Sequence, residues 1–372
     1  MKLEKLGNIA TIKTGKYDVN HSTPDGEYAF YTCAFGQFKS PTYSFEGPAI
    51  ILPGNGANVG EVFFYDGKFE AYQRTYVVQN FKADPNYIYA YFKAQWKNSL
   101  RNKQFGSATN YIRLNNLTDF TIPVPPLADQ LHIANLLSKA ENLIAQRKES
   151  IRLLDEFLKS TFLEMFGDPS TNRKKFTKGK IKDVVTEVKY GTSSPAEDEG
   201  LYPYLRMNNI TPDGYMDYSK LKYINIVDDK EKEKYVVRKG DLLFNRTNSK
   251  ELVGKTGVFN EDSEMIIAGY LIRVRTNEKA NPWFLWGYLN SIHGKKTLLG
   301  MCKSIVGMAN INAQELQGIK ILIPPIELQT QFAQIVEKTE ALKSQYQQSL
   351  QELENLYGSL SQKAFRGELA KK

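Results

Sequence analysis

The chain is one unit written twice, and that repetition limits its architecture more than any other property of the sequence. Residues 6–15 (LGNIATIKTG) resemble residues 181–191 (IKDVVTEVKYG), and residues 59–63 (VGEVF) resemble 253–259 (VGKTGVF). Residues 84–92 (DPNYIYAYF) sit beside 281–289 (NPWFLWGYL), and 120–130 (FTIPVPPLADQ) beside 319–329 (IKILIPPIELQ). The offset between partners grows from 175 to 194, 197 and 199, the drift that loop insertions in a second copy produce. A fixed order of four pairs points to duplication, and a duplicated unit has to fold the same way twice.

Each copy follows one plan. Apolar bursts at 49–52 and 241–244 run into Gly- and Asn-rich turns and read as short strands. Aromatic-rich stretches at 87–96 and 283–290 read as helices whose rings pack a core. A short apolar strand and a Pro-Pro pair close each body, and proline is tolerated in the first turn of a helix that follows. The long stretch after each pair lacks Gly and Pro for several heptads. In the first, Leu137, Ile144, Ile151, Leu158 and Met165 recur every seven residues, with Ala140 and Leu154 three residues after members of that set. In the second, Val336, Leu350 and Tyr357 recur with Tyr346, Leu353 and Leu360 between them. Arg147 and Lys343 interrupt the same heptad of the two copies, and Thr161 is a further break. Such a narrow seam suits a second helix, and roughly 36 residues at ~1.5 Å rise make a rod about 54 Å long.

The expected fold is therefore α+β: two duplicated globular α/β domains, each followed by a long α-helix. The two helices are expected to pair as an antiparallel coiled coil with pseudo-two-fold symmetry. The expected boundaries are 1–126, 127–170, 171–324 and 325–372. Rods of that length would set the bodies one to one and a half turns of a duplex apart, given a groove that repeats every ~34 Å.

Charge separates the segments. The net charge of +8 divides as +3 over 1–126, −2 over 127–170, +7 over 171–324 and 0 over 325–372. Both bodies are basic and neither helix is, as expected if bodies face a polyanion and helices face protein. Two distant cysteines, Cys33 and Cys302, exclude a disulfide scaffold, and no apolar run approaches the ~20 residues of a membrane span. The expectation is a cytoplasmic protein without a membrane contact. Neither a phosphate-binding G-x-x-x-x-G-K-[ST] loop nor a dinucleotide fingerprint is present, and His21, His132 and His293 lack ligand spacing for zinc. Asn281-Pro282-Trp283-Phe284 is similar to the Asn-Pro-Pro-aromatic loop of amino-methyltransferases, but its repeat partner opens a helix and the second proline is missing from both.

The duplicated bodies, the I-P-V-P-P-L-A-D-Q run at 122–130 with its partner at 321–329, and the long helices after both resemble a type I restriction–modification specificity subunit. In the second body, residues 240–249 (GDLLFNRTNS), 253–257 (VGKTG) and 268–274 (AGYLIRV) are similar to that family's recognition-domain pattern. The resemblance implies two target recognition domains with different preferences, reading a bipartite sequence in double-stranded DNA. It implies helices that dock DNA methyltransferase (modification) subunits, and a restriction/translocase subunit where one exists. It implies no catalysis and no cofactor on this chain, with S-adenosylmethionine and ATP belonging to the partner subunits; the histidine spacing already leads to the expectation of no metal. The rival from another class is an adaptor or scaffold with two protein-binding domains and a dimerising coiled coil.

DNA contacts are expected from polar loops, because Arg can bond guanine and Asn or Gln adenine through paired hydrogen bonds, while Lys more often holds phosphate. The candidates in the first body are Lys16, Tyr17, Asn55, Asn58, Gln73, Arg74, Tyr76, Lys103, Gln104, Ser107, Thr109 and Asn110. Those in the second are Thr192, Ser193, Ser194, Arg206, Asn208, Asn209, Asn245, Arg246, Asn248, Ser249, Tyr270, Lys303 and Ser304.

Overall fold

The structure is a computed structural model, and it describes residues 1–36, 38–100, 110–302 and 309–369. It divides into two compact units, one made of Met1–Lys148 with Gln348–Lys372 and the other of Glu149–Gln347. Each unit combines one body with part of both long helices.

In the first unit the body is built on a six-stranded sheet, in the order Thr11–Thr14, Thr75–Gln79, Phe45–Pro53, Phe63–Ala71, Tyr28–Tyr31, Phe38–Ser40. All pairs are antiparallel except Tyr28–Tyr31 with Phe63–Ala71. The expected strand at 49–52 lies in the buried second half of Phe45–Pro53. Period-two alternation sends Ile50 and Leu52 to one face, under the aromatic helix Pro85–Ser99, and Ala49 and Ile51 to the other.

In the second unit the body holds two four-stranded sheets. One runs Val185–Tyr190, Leu271–Thr276, Leu242–Asn245, Thr256–Val258; the other runs Lys222–Ile224, Tyr202–Leu205, Met265–Ile267, Val236–Val237. Its aromatic helix is Pro282–Asn290, in which seven of nine residues are buried, so it is apolar on every side and lies inside the core.

The two bodies begin and end alike. Lys2–Lys5 pairs antiparallel with Thr121–Val124, and Thr177–Lys180 pairs antiparallel with Lys320–Ile323. The strand before each Pro-Pro thus returns to the strand that opens its own copy. The glutamine that closes each Pro-Pro run ties two helix starts together. Gln130 accepts from the Asp84 N–H at 2.7 Å and donates to the Pro125 carbonyl at 2.7 Å. Gln329 accepts from the Asn281 N–H at 2.9 Å and donates to the Pro324 and Lys279 carbonyls at 2.8 and 3.0 Å. Each staples the start of a long helix to the start of its aromatic helix. Asp84 and Asn281 in turn accept from the Tyr87 and Trp283 N–H groups as N-caps. Asn281-Pro282 therefore opens a helix, with its proline in the first turn.

The long helices are Leu127–Phe166 and Ile326–Arg366, slightly shorter than the expected 127–170 and 325–372. Within the first unit Lys148 pairs with Glu354 at 2.8 Å, and the Tyr357 hydroxyl donates to Glu141 at 2.6 Å, an antiparallel register. Leu137, Tyr357, Leu360 and Ala364 join the core under Tyr87 and Phe92, and Ala140 is buried. Within the second unit Lys343 pairs with Asp155 at 2.5 Å, and Phe162 meets Phe332 at 5.5 Å, again antiparallel. Leu158, Met165 and Val336 belong to a core shared with Phe284. Ile144, Ile151, Leu154, Tyr346, Leu350 and Leu353, the remaining seam positions, are half-buried. The Lys343 break in the heptad is thus an ion pair, its Nζ also lying 3.6 Å from the centre of the Tyr215 ring. Toward the helix ends the buried stripe widens from a seam into a face lying on a body, as Ile133 and Ala134 do in the first unit.

Candidate nucleic-acid interface

In the first body the expected residues converge. Glycine 15 is pinned where a Cβ would lie 1.7 Å from the Ala71 carbonyl oxygen, so the chain passes against the end of Phe63–Ala71 with no room for a side chain. This brings Lys16 and Tyr17 beside Tyr72, and the Gln73 N–H donates to the Tyr17 carbonyl at 2.9 Å. The Gln73 side chain reaches Asp18 at 3.1 Å. One step on, the Gly54 N–H donates to the Arg74 carbonyl and the Ile112 N–H to the Gly54 carbonyl, each at 2.9 Å. Asn55 bridges to Tyr111, next to Asn110, whose carbonyl accepts from Gly56 at 2.8 Å. Lys16, Gln73, Arg74 and Asn110 are exposed; Asn55, Asn58 and Tyr76 are half-buried. Tyr76 donates weakly to the Ile112 carbonyl at 3.4 Å.

A loop that sequence reasoning missed joins this cluster. The Asn58 side chain donates to the Cys33 carbonyl at 2.8 Å, and the Cys33 thiol donates to the Arg74 carbonyl at 3.3 Å. Residues 32–36 are therefore fastened to two candidates, and Phe35 stands 63% exposed beside them. A Phe-Gly pair at 35–36 was the one available sequence signal.

The second body repeats the scaffold. A Cβ on Gly191 would lie 2.2 Å from the Ile267 carbonyl oxygen, Thr192 bridges to Ala268, and the Gly269 N–H donates to the Thr192 carbonyl at 2.7 Å. The Arg246 N–H donates to the Tyr270 carbonyl at 3.0 Å and the Ile311 N–H to the Arg246 carbonyl at 2.9 Å. Thr247–Asn248 pairs with Ala309–Asn310. Ser193, Ser194, Asn208 and Tyr270 are exposed, and Arg206, Arg246, Asn248 and Ser249 are half-buried. The Asn248 carboxamide accepts from the Ser249 N–H at 2.8 Å.

Three expected contacts turn inward. Thr192 is buried, its carbonyl receiving the Tyr204 hydroxyl at 2.8 Å. Asn209 is buried because its side chain closes the turn, accepting from Arg206 N–H and donating to the Asp217 carbonyl, each at 2.9 Å. Asn245 is 0% exposed at the end of a core strand. These three shape loops rather than offering side chains at the surface. Lys103, Gln104, Ser107, Thr109, Lys303 and Ser304 lie outside the described residues.

Buried charge stiffens the second body beneath these loops. Arg273, wholly buried, holds Glu187 at 2.5 Å and donates to the Val236 carbonyl. Burial works against the Glu187 charge, but Lys189 and Arg273 outweigh it and hold the carboxyl below its ordinary range. Lys255 is buried and donates to the Met207 and Ile210 carbonyls at 2.7 and 2.5 Å, fixing the Arg206–Asn209 turn, and burial lowers its pKa. Burial pushes Tyr204 up to about 12, so its hydroxyl stays a donor. Among the described residues no group of three or more His, Cys, Asp or Glu is arranged to hold a metal, and no helix is long and apolar enough to cross a membrane.

The model of the type I restriction modification DNA specificity domain matches residues 1–153 and again 173–355. The EcoKI specificity subunit of Escherichia coli (strain K12) is 25% identical over 294 residues, which span 74% of this chain and 63% of that protein. The EcoDI specificity subunit of Escherichia coli is 24% identical over 410 residues, 99% of this chain and 88% of that protein. The crystal structure of a type I S subunit from M. genitalium superposes with a TM-score of 0.67 at 16% identity, covering 98% of this chain and 96% of that one. A second solved chain, from work on complex assembly and conformational transition of the type I R-M system, gives 0.53 at 20% identity, covering 98% and 97%. The chain belongs to the type I restriction–modification specificity subunit family.

Proposed function

We propose that this chain is the DNA-reading subunit of a type I restriction–modification assembly. Each body presents its loop cluster to one half of a bipartite duplex target, and the exposed faces of the long helices carry methyltransferase subunits and, where present, a restriction subunit. The chain itself performs no chemistry: S-adenosylmethionine and ATP belong to those partners. One observation carries the reading. The same backbone frame, Gly54 with Arg74 and Ile112 in one body and Arg246 with Tyr270 and Ile311 in the other, displays different side chains. A frame kept while its displayed groups change is what two readers of unlike sequences require. The basic balance of both bodies supplies the sequence-independent attraction to phosphate.

The test is selection from a pool of randomised duplexes by the full chain with its methyltransferase partner. Recovery of a split motif with a constant spacer supports the proposal. Recovery of unselected DNA, or transfer of labelled methyl groups by this chain alone, overturns it.

A further inference from the structure

The Arg246 guanidinium lies over the Tyr190 ring, 4.8 Å from its centre, and donates from Nη1 to the Gly269 carbonyl at 3.4 Å. Its Nε is buried without a hydrogen-bond partner. Tyr190 is itself held at three points. Its hydroxyl accepts from the Ala313 N–H at 2.8 Å, its backbone pairs with Ile272 in the sheet, and Gly191 follows it into the close passage against Ile267. The strand it ends is tied to the core by the Glu187–Arg273 ion pair. An aromatic face beneath a guanidinium restricts the plane of the fork, and Arg is the side chain whose fork matches the O6 and N7 edge of guanine.

The first body supplies an independent comparison. By its hydrogen bonds Gly54 occupies the frame position of Arg246, and by sheet register Thr14 opposite Tyr76 corresponds to Tyr190 opposite Ile272. Arginine and tyrosine are thus both present in one copy and both absent from the other. In the first body a side chain at 54 would meet the Arg74 carbonyl at 2.2 Å and the Tyr76 ring at 3.0 Å, so the aromatic on the opposite strand closes the space.

We propose that Tyr190 is a positioning residue that holds Arg246 as a fixed fork for one guanine of the second half-site. The inference rests on the DNA-reading role proposed above. It makes position 190 a determinant of specificity although tyrosine need not touch the base.

The experiment is selection from randomised duplexes by the full chain carrying Tyr190→Leu, Tyr190→Phe, Arg246→Lys, or Tyr190→Leu with Arg246→Lys, with thermal melting of each. The first half-site serves as the internal control. Arg246→Lys and Tyr190→Leu should each lose preference at the same single position, by roughly tenfold. The double variant should lose no more than either alone, because both act through one contact. Tyr190→Phe keeps the ring and should retain most of the preference, which separates stacking from the hydroxyl bond to Ala313. If Tyr190→Leu leaves that position intact while Arg246→Lys loses it, or weakens all positions of the second half-site alike, the proposal fails while DNA reading stands. If the unaltered chain selects no consensus, DNA reading falls and this inference with it.

Discussion

Replacing Gln329 with methionine keeps the volume of the side chain and removes its hydrogen bonds. Gln329 is fully buried, and methionine leaves the Asn281 N–H and the Lys279 and Pro324 carbonyls without their partner. At about 1 kcal/mol net per bond, the second unit should lose about 3 kcal/mol. Gln130→Met removes two bonds, to Asp84 and Pro125, and should cost the first unit about 2 kcal/mol. The two units need separate readouts, since a chain of this size does not unfold in one step. The three tryptophans supply them. Trp283 and Trp286 lie in Glu149–Gln347, and Trp96 lies in the other unit. In a Trp96→Phe background, fluorescence during urea unfolding reports the second unit alone. A cost below about 1 kcal/mol for Gln329→Met, or a larger loss for Gln130→Met than for Gln329→Met, would refute the reasoning that these glutamines are structural staples.

Glu340 offers a pH test: burial, opposed by Lys343 and reinforced by Asp155, raises its carboxyl from 4.5 to about 7. Between those values the unfolded chain releases a proton that the folded chain keeps. Stability should therefore fall as pH rises from about 4.5 to about 7 and level off above, by at most about 3 kcal/mol. Melting at pH 5 and pH 8 checks this, and a Glu340→Gln variant whose advantage over the unaltered chain does not grow between them would contradict it. Leu158→Ala, which empties a fully buried position of the second unit, should cost about 2–4 kcal/mol in the same urea assay. Arg273→Leu removes the buried partner of Glu187, which keeps Lys189 and Arg275, and should cost about 1.5–3 kcal/mol; a change below about 1 kcal/mol would mean the pair is no support for the Tyr190 strand. Affinity for random duplex DNA should drop steeply between 50 and 200 mM salt, measured by mobility shift, if the basic bodies hold phosphate.

The duplication, the strands before the Pro-Pro pairs, the aromatic helices and the helical seam were legible because each is a local pattern with a period or a boundary. Loop convergence was partly legible. The backbones at Tyr17, Gln73–Arg74 and Gly54–Asn55 are linked in series, since turn residues next to the repeated glycines mark the ends of strands that pair. Direction was not legible. Asn208 and Asn209 are adjacent and alike, yet one is exposed and the other is spent on Arg206 and Asp217. Nor could spacing reveal that residues 32–36 lie against Asn58 and Arg74, a contact made by folding across the sheet. The single six-stranded sheet of one body and the two four-stranded sheets of the other also lay beyond local pattern, because strand order follows from long-range pairing.

The first unit is assembled from two separated stretches of chain, with Gln348 onward completing what Lys148 leaves off. A ribosome adding ~5–20 residues per second takes about 10–40 s to cross the intervening 199 positions. During that interval the earlier body has Tyr87 and Tyr91 without Phe365 to cover them. The nascent protein therefore reverses the usual rule that what is made first matures first: the earlier body stays incomplete until the stretch from Gln348 emerges, and a truncation ahead of that stretch would injure the body made first rather than the one made just before it.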